Sequence, residues 1–292
     1  MKRAVCRLTG GTVLLMPATL DRPEPAIPPF VDAAWLAEHR HEVVLADVRW
    51  YLDGRSGRAA FEDGHLPGAV FVDLDRWLAA PGDPGRGRHP LPDPDVFARG
   101  MSEAGIGDTA TVVAYDDAGG VTAARLVWML RATGHDAALL DGGLAAVGGP
   151  RETGPARPAP ARFTARPWPA ERLAGIDELH RDGRILIDAR DRDRFAGAVE
   201  PVDPRPGHIP GARNVPAREM LDADGRLRDA DDLREQLDRA GVSGSDDVVA
   251  SCGSGVTACH TLLVLEALGL PPGRLFPGSY SQWSHTDRPV ER

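Results

Sequence analysis

Cysteine is scarce in this sequence: three in 292 residues, at positions 6, 252 and 259. An odd, sparse set excludes the disulfide framework of a small secreted scaffold. No Cys-x-x-Cys pair occurs, which argues against a structural zinc site. Long apolar runs are missing too. The longest near the start, Thr12 to Met16, falls far short of the roughly 20 residues that span a bilayer. Lys2 and Arg3 precede that run, but Pro17 breaks it and no small-residue cleavage context follows. It reads as a loose extension, or as an over-long start with Met16 the true one, and not as a secretory signal. The expected location is therefore the cytoplasm. Positive charge is also in short supply, since the net charge is −9. Such a chain has little to offer a phosphate backbone or an anionic membrane surface, so neither nucleic acid nor membrane is expected as a partner. An anionic substrate would need local arginines to reverse the field.

What the sequence does contain is a repeated pattern. Gly64-His65-Leu66-Pro67-Gly68-Ala69 recurs as Gly207-His208-Ile209-Pro210-Gly211-Ala212. A short apolar run ending in Asp-x-Arg precedes each copy, Val43 to Arg49 and Ile185 to Arg190. A second run follows each, Ala110 to Tyr115 and Asp247 to Ser251. Then come Gly-Val-Thr-Ala, at 120–123 and 255–258, and a helix-like apolar segment, Arg125 to Thr133 and His260 to Leu268. Four features in one order around the repeated turn mark a duplicated domain, and the length fits two domains of roughly 150 residues each. The runs are rich in Val, Ile, Leu and Ala with little alternation, as in strands buried on both faces of a parallel sheet. Helical patterns such as Asp229 to Ala240 intervene. The predicted fold class is α/β, two tandem domains, each an open, mainly parallel sheet flanked by helices. The boundaries read as an unstructured lead-in over 1–27, a first domain over 28–147, a proline-rich linker over 148–169 and a second domain over 170–292.

The chemistry concentrates in Val248-Val249-Ala250-Ser251-Cys252-Gly253-Ser254-Gly255-Val256-Thr257-Ala258. A buried strand ends at Cys252, and a glycine-rich turn leads into a helix. In open α/β sheets ligands bind at the carboxyl ends of strands. Gly253 and Gly255 permit a tight loop with its backbone N–H groups turned inward, and such a nest at a helix N-terminus stabilises an anion. The expected anion is the Cys252 thiolate, its pKa lowered, and afterwards a terminal persulfide. Thr257 is placed as a cap-like hydroxyl. A cysteine phosphatase would need an arginine six residues after the cysteine, where Ala258 stands. Cys259 falls in the second helical turn, packed inside and poorly placed for a disulfide with Cys252. Aligning the repeats puts Asp116 or Asp117 where Cys252 falls, so the first domain is expected to be catalytically silent and to wall the cleft.

Over residues 30 to 290 these features resemble the tandem-domain rhodanese family, and Cys-Gly-Ser-Gly-Val-Thr-Ala is similar to the loop of its 3-mercaptopyruvate sulfurtransferase branch. The resemblance implies a sulfurtransferase that takes sulfur from 3-mercaptopyruvate as a Cys252 persulfide and releases pyruvate. The sulfur passes to a thiol, such as thioredoxin, or to cyanide, and no metal or cofactor is implied. Gly253, Gly255, Val256 and Thr257 would line the donor site. Thiosulfate-using relatives carry Arg and Lys where Gly253 and Ser254 stand; two cations suit a dianion, whereas a neutral loop with a hydroxyl suits mercaptopyruvate. The donor's carboxylate calls for an arginine fork. Arg194 and Arg205 match the family's substrate arginines, Arg190 matches a mainly structural one, and Arg192 reads as a surface residue. Asp75, His89 and Ser254 match a proposed relay across the domain cleft, in which a carboxylate-oriented histidine sets the serine hydroxyl to move a proton. His65 and His208, in matched turns of both halves, read as structural. Two other readings stay open: thiosulfate as donor, and a persulfide carrier fed by a partner protein. Arg194 and Arg205 weigh against the carrier.

Overall fold

The computed structural model describes residues 26–244 and 246–292. Cys6, the run from Thr12 to Met16 and nearly all of the expected lead-in lie outside the described residues. Two sheets carry the fold. In the first half, β1 (Phe30–Val31), β2 (Val43–Asp47), β3 (Val70–Phe71), β4 (Thr111–Tyr115) and β5 (Ala137–Leu140) lie in the order β1-β5-β4-β2-β3. In the second, β6 (Arg184–Asp188), β7 (Arg213–Asn214), β8 (Asp247–Ser251) and β9 (Arg274–Leu275) lie in the order β7-β6-β8-β9. Every pairing is parallel. The unalternating apolar runs are buried on both faces, as at Leu45 and Ala46 or Val249 and Ala250. The helices of the first half are α1 (Ala33–His39), α2 (Gly57–Asp63), α3 (Pro94–Glu103) and α4 (Ala124–Ala132). Those of the second are α5 (Arg192–Phe195), α6 (Ala230–Arg239), α7 (Ala258–Ala267) and α8 (Ser279–Trp283). None of the helices among the described residues is long and apolar enough to cross a membrane.

The repeated motifs do the same work twice. Asp47 and Asp188 end their strands, and the arginines two residues on fold back to them, at 2.8 and 2.7 Å. Each guanidinium also donates to the carbonyl of the glycine that opens the repeated turn, Gly64 or Gly207, at 2.8 Å. His65 and His208, both buried, stack on Phe61 and Phe195 and bond those residues' carbonyls through Nδ1. Their backbones bridge to Glu152 and Glu291. Glu152 lies in the stretch read as linker, so the first repeat's framework runs past residue 147. Farther along, Thr164 bonds Asp108 and the Trp168 indole donates to the Pro92 carbonyl, which fastens this stretch to the first half.

The halves meet along α4 and α7, and one apolar core crosses between them, with Val121 and Trp128 on one side and Val256 and Leu262 on the other. Each half also sends a tight turn onto the other. The Asp83–Gly87 turn lies against Gly278, where the Gln282 amide donates to the Gly85 carbonyl. The turn near Gly225 lies against Gly119, where the Leu227 N–H donates to Asp141. At the centre sits Arg125, fully buried in α4. Its guanidinium donates to the carbonyls of Leu78, His89 and Gly255, the last across the domain boundary. Burial pushes its pKa down from the ordinary arginine value. Removing this side chain takes the donor from the buried carbonyls of Leu78 and His89, each costing about 1–3 kcal/mol, and leaves Gly255 only the Cys259 thiol. Arg125→Ala is therefore expected to lower unfolding stability by about 3 kcal/mol or more, and a denaturant melt showing a loss under about 1 kcal/mol would contradict that role.

Candidate active site

β8 ends at Ser251, and Cys252 is the first residue of the loop that turns into α7. Gly255 adopts φ +78°, and its N–H donates to Cys252 Sγ at 3.1 Å. A Cβ there would come within 2.6 Å of the Pro277 carbonyl oxygen, so the turn requires glycine. α8 fixes the loop from outside. The Cys252 N–H donates to Ser279 Oγ at 3.1 Å, and the carbonyls of Cys252 and Gly253 accept from the N–H groups of Tyr280 and Ser281. Ser279 is the one described non-glycine residue at positive φ, +49°, where the first repeat has Gly143 at +57°. A side chain in that strained region implies use of the side chain, here the hydroxyl that holds Cys252. Thr257 does not cap α7: its backbone is already helical and its side chain makes no capping bond, which corrects that expectation. With Val256 it lines the cleft instead.

The first repeat shows what this loop geometry accommodates. Asp116 follows β4 as Cys252 follows β8. Its buried carboxylate accepts four backbone N–H groups, from Ala118, Gly120, Thr122 and Ala123, at 2.7–2.9 Å. The loop is an anion nest filled by its own side chain.

A cavity of about 460 Å³ opens over Cys252 between the halves, walled by Trp50, Arg88 and Val121 on one side and Arg190, Arg194 and Gly253 on the other. Ser254 lines it, and two other expected residues stand behind Ser254. His89 Nδ1 lies 2.7 Å from Ser254 Oγ, and His89 Nε2 lies 3.4 Å from Asp75 Oδ1. A carboxylate only accepts, so Nε2 donates to Asp75, and Nδ1 shares a hydrogen bond with the Ser254 hydroxyl. The His89 bond, helped by the Trp50 indole donating to Asp75 Oδ2 at 3.0 Å, holds the Asp75 carboxyl below the usual range. Cys259 is buried and free, with burial pushing its thiol up to about 12, so it stays neutral beside the site.

The arginines divide differently from expectation. Arg194 lines the cavity, with Nη2 on Glu200 Oε1 at 2.7 Å. Arg190 lines it too, tied to Asp188. Arg205 does not: Nε, Nη1 and Nη2 donate to the carbonyls of Ser284, Arg288 and Trp283 at 2.8–3.0 Å. It closes the end of α8 with three of its five N–H groups and does not line the cavity, which corrects its placement in the donor clamp. Sequence reasoning missed Arg88, which pairs with Asp203 at the cavity wall; its one signal was adjacency to His89. Nor is the surrounding of the loop neutral. A Cβ on Gly253 would lie 2.9 Å from Arg88 Nη2 and 3.3 Å from Arg194 Nη1. Burial raises the Asp203 carboxyl pKa. Glu200 feels burial as well, but the Asp203 N–H and Arg194 outweigh it and lower its pKa.

The rhodanese-like domain model matches the chain twice, over residues 32–149 and 173–286. The chain is 40% identical to a probable 3-mercaptopyruvate sulfurtransferase of Pseudomonas aeruginosa, over 85% of this chain and 92% of that protein. It is 41% identical to a putative thiosulfate sulfurtransferase of Mycobacterium tuberculosis, over 86% and 91%. It is similar in structure to 3-mercaptopyruvate sulfurtransferase from Leishmania major, with TM-score 0.80 and 33% identity over 91% of this chain and 77% of that one.

Two outcomes follow from the geometry. Arg205→Met is expected to cost about 1–3 kcal/mol of stability while leaving the KM for the sulfur donor within about twofold; a large KM change with unchanged stability would return Arg205 to the clamp. Cys259→Ser is expected to keep sulfur transfer and Cys252→Ser to abolish it, and intact-mass analysis after donor treatment should find one added sulfur, on Cys252.

Proposed function

The chain belongs to the rhodanese-like family, and from that membership and the cleft geometry we propose that it is a sulfurtransferase drawing sulfur from 3-mercaptopyruvate through a Cys252 persulfide. The observation that carries the choice of donor is the Asp75–His89–Ser254 chain ending beside Cys252. Relatives of nearly equal identity bear both donor names, so their names do not decide. The Cys252 thiolate attacks the donor sulfur. The carbon–sulfur bond breaks, its electron pair leaves as pyruvate enolate, and Cys252 keeps the outer sulfur as a persulfide. The enolate needs one proton to become pyruvate. The Ser254 hydroxyl gives its proton to the enolate as it takes one from Nδ1–H of a protonated His89, whose Nε2–H the Asp75 carboxylate accepts. Sulfite leaving from thiosulfate needs no such proton.

The expectation that the loop disfavours thiosulfate for want of cations is set aside, since Arg88 and Arg194 stand over Gly253. The preference rests on proton delivery instead. The persulfide is then taken up by a small thiol, a protein thiol such as thioredoxin, or cyanide; the cleft's opening beside Cys252 supports small acceptors. Sparse, free cysteines support a cytoplasmic setting.

A general acid contributes about 10²–10⁴-fold. Wild-type kcat/KM is therefore expected to be at least about a hundredfold higher with 3-mercaptopyruvate than with thiosulfate. Ser254→Ala should lower the mercaptopyruvate value by at least about tenfold and leave thiosulfate transfer within about threefold. Equal use of the two donors by the wild-type protein would sink the donor assignment and leave the sulfurtransferase.

A further inference from the structure

A second cavity, of about 610 Å³, adjoins the active cleft. The two share Asp117, Ala118 and Arg218 in their walls, and beyond that neck the second is lined by Arg151 and by the turn that holds Asp222 and Asp224. We propose that this second cavity seats the body of the sulfur acceptor, a small amino-acid or peptide thiol bearing both carboxylate and ammonium groups, with Arg218 at the neck gripping a carboxylate. The proposal rests on the reading of Cys252 as the persulfide carrier. The acceptor's thiolate attacks the outer sulfur of that persulfide. The sulfur–sulfur bond breaks, its electron pair returns to Cys252 Sγ as a thiolate, and the acceptor leaves as a persulfide.

The neck carries an unused cation. Arg218 stands on the turn Ala217–Met220, which Ala217 and Met220 anchor in the core, and its neighbour Glu219 is taken by Arg192 at 2.7 Å. Among the described residues the Arg218 guanidinium has no hydrogen-bond or ion-pair partner. Deeper in, Arg151 Nη2 donates to the carbonyls of Leu144 and Val147 at 3.0 and 2.7 Å, while its Nη1 is buried without a partner. A buried N–H left unmet is costly, and a carboxylate would meet it. The acids are unpaired as well. Asp117 accepts from the Tyr51 hydroxyl at 2.6 Å through one oxygen and makes no ion pair among the described residues, and Asp224 is exposed. Arginines and aspartates that line one cavity without pairing fit a ligand of both charges, because a plain anion would also meet Asp117, Asp222 and Asp224. The cavity is built in advance. Asp222 Oδ1 accepts the N–H groups of Asp224 and Arg226 at 2.9 Å, and a Cβ on Gly119 would lie 2.3 Å from Leu221 Cδ1, so the turn is held against the first half. Its volume is within the range of about 300–1,000 Å³ that small-ligand sites occupy. Neither Cys252, Ser254 nor Arg194 lines it, so a body seated there leaves the sulfur end of the cleft open.

The test reads discharge of the loaded protein. Cys252 is charged with 3-mercaptopyruvate, and single-turnover loss of the added sulfur is followed by intact mass with glutathione, which carries both charges, and with 2-mercaptoethanol, which carries neither. Wild-type protein is expected to favour glutathione, and Arg218→Glu to lower the glutathione-to-2-mercaptoethanol rate ratio at least about tenfold. Arg218 also lines the active cleft, whereas exposed Ala145 lines the second cavity alone. Ala145→Trp fills that cavity and is expected to lower the same ratio at least about threefold. Mercaptosuccinate, with carboxylates and no ammonium group, is expected to lose less than glutathione on Ala145→Trp, and an equal loss overturns the mixed-charge reading. Calorimetric titration with S-methylglutathione, whose sulfur cannot react, is expected to show saturable binding that Arg218→Glu weakens at least about tenfold. If Cys252 loads, and neither the rate ratio nor the binding responds to Arg218→Glu and Ala145→Trp, the acceptor cavity fails and the donor reading stands. If S-methylglutathione binds with the expected pattern and 3-mercaptopyruvate loads no sulfur onto Cys252, the donor reading fails and the acceptor cavity stands.

Discussion

One buried guanidinium ties the cleft together. Arg125 donates to the carbonyls of Leu78 and His89, which bracket the segment bearing Arg88 and His89, and to Gly255 of the cysteine loop. The nucleophile's nest comes from one sheet and the relay histidine from the other. Their 2.7 Å contact through Ser254 exists only while the two halves keep one register. An apolar interface of α4 against α7 brings the halves together without fixing that register to a fraction of an ångström. A charged side chain with no carboxylate among its acceptors is held in place more sharply, because any slip leaves a buried donor or carbonyl unmet.

The same frame, built twice, holds two different side chains, a carboxylate and a sulfur. Strand, nest and helix start are alike at Asp116 and Cys252, and the preceding Asp-x-Arg and Gly-His-x-Pro-Gly contacts match almost bond for bond. The differences fall where chemistry is added. A carboxylate saturates its nest with four N–H bonds; the sulfur takes one at 3.1 Å. Gly143 becomes Ser279, which spends backbone strain to hold Cys252 by its N–H. In α7 the place of Arg125 is taken by His260, fully buried, edge-on to Phe30 and pushed down to about 4, hence neutral. At this place the interface therefore holds a guanidinium on one side and a neutral ring on the other, while farther along both helices Arg131 crosses to Glu266.

Much of this was legible in the sequence because it depends on short-range pattern. Unalternating apolar runs gave the buried parallel strands, and the duplicated turns gave the two halves. The strand-to-glycine-turn transition located Cys252 before any coordinate. Asp75, His89 and Ser254 were legible only through family resemblance, since no spacing in one chain predicts that residues 165 apart will touch. The arginines were the least legible. Arg205 and Arg88 are both flexible cations near prolines and glycines, and their destinations depend on which carbonyls the far end of the chain leaves open. The carbonyls that take Arg205 belong to residues 283–288, beyond reach of local pattern. Thr257 was misread for a related reason: α7 is already helical there, so its hydroxyl was never needed as a cap.

The acids beside the donor site then take on a kinetic sense. Two guanidiniums facing an empty cleft would bind any carboxylate strongly, including that of pyruvate, which leaves with the same carboxylate the donor brought. A grip felt equally by donor, transition state and product lowers KM without raising kcat, and slows release. Asp203, shared by Arg88 and Arg194, and Glu200, held to Arg194, temper that grip while keeping both forks oriented. The one proton the enolate needs is not shared by donor and product. Stabilisation placed there acts on the transition state alone, so under the proposed mechanism rate is gained at the relay and not from a grip on the carboxylate.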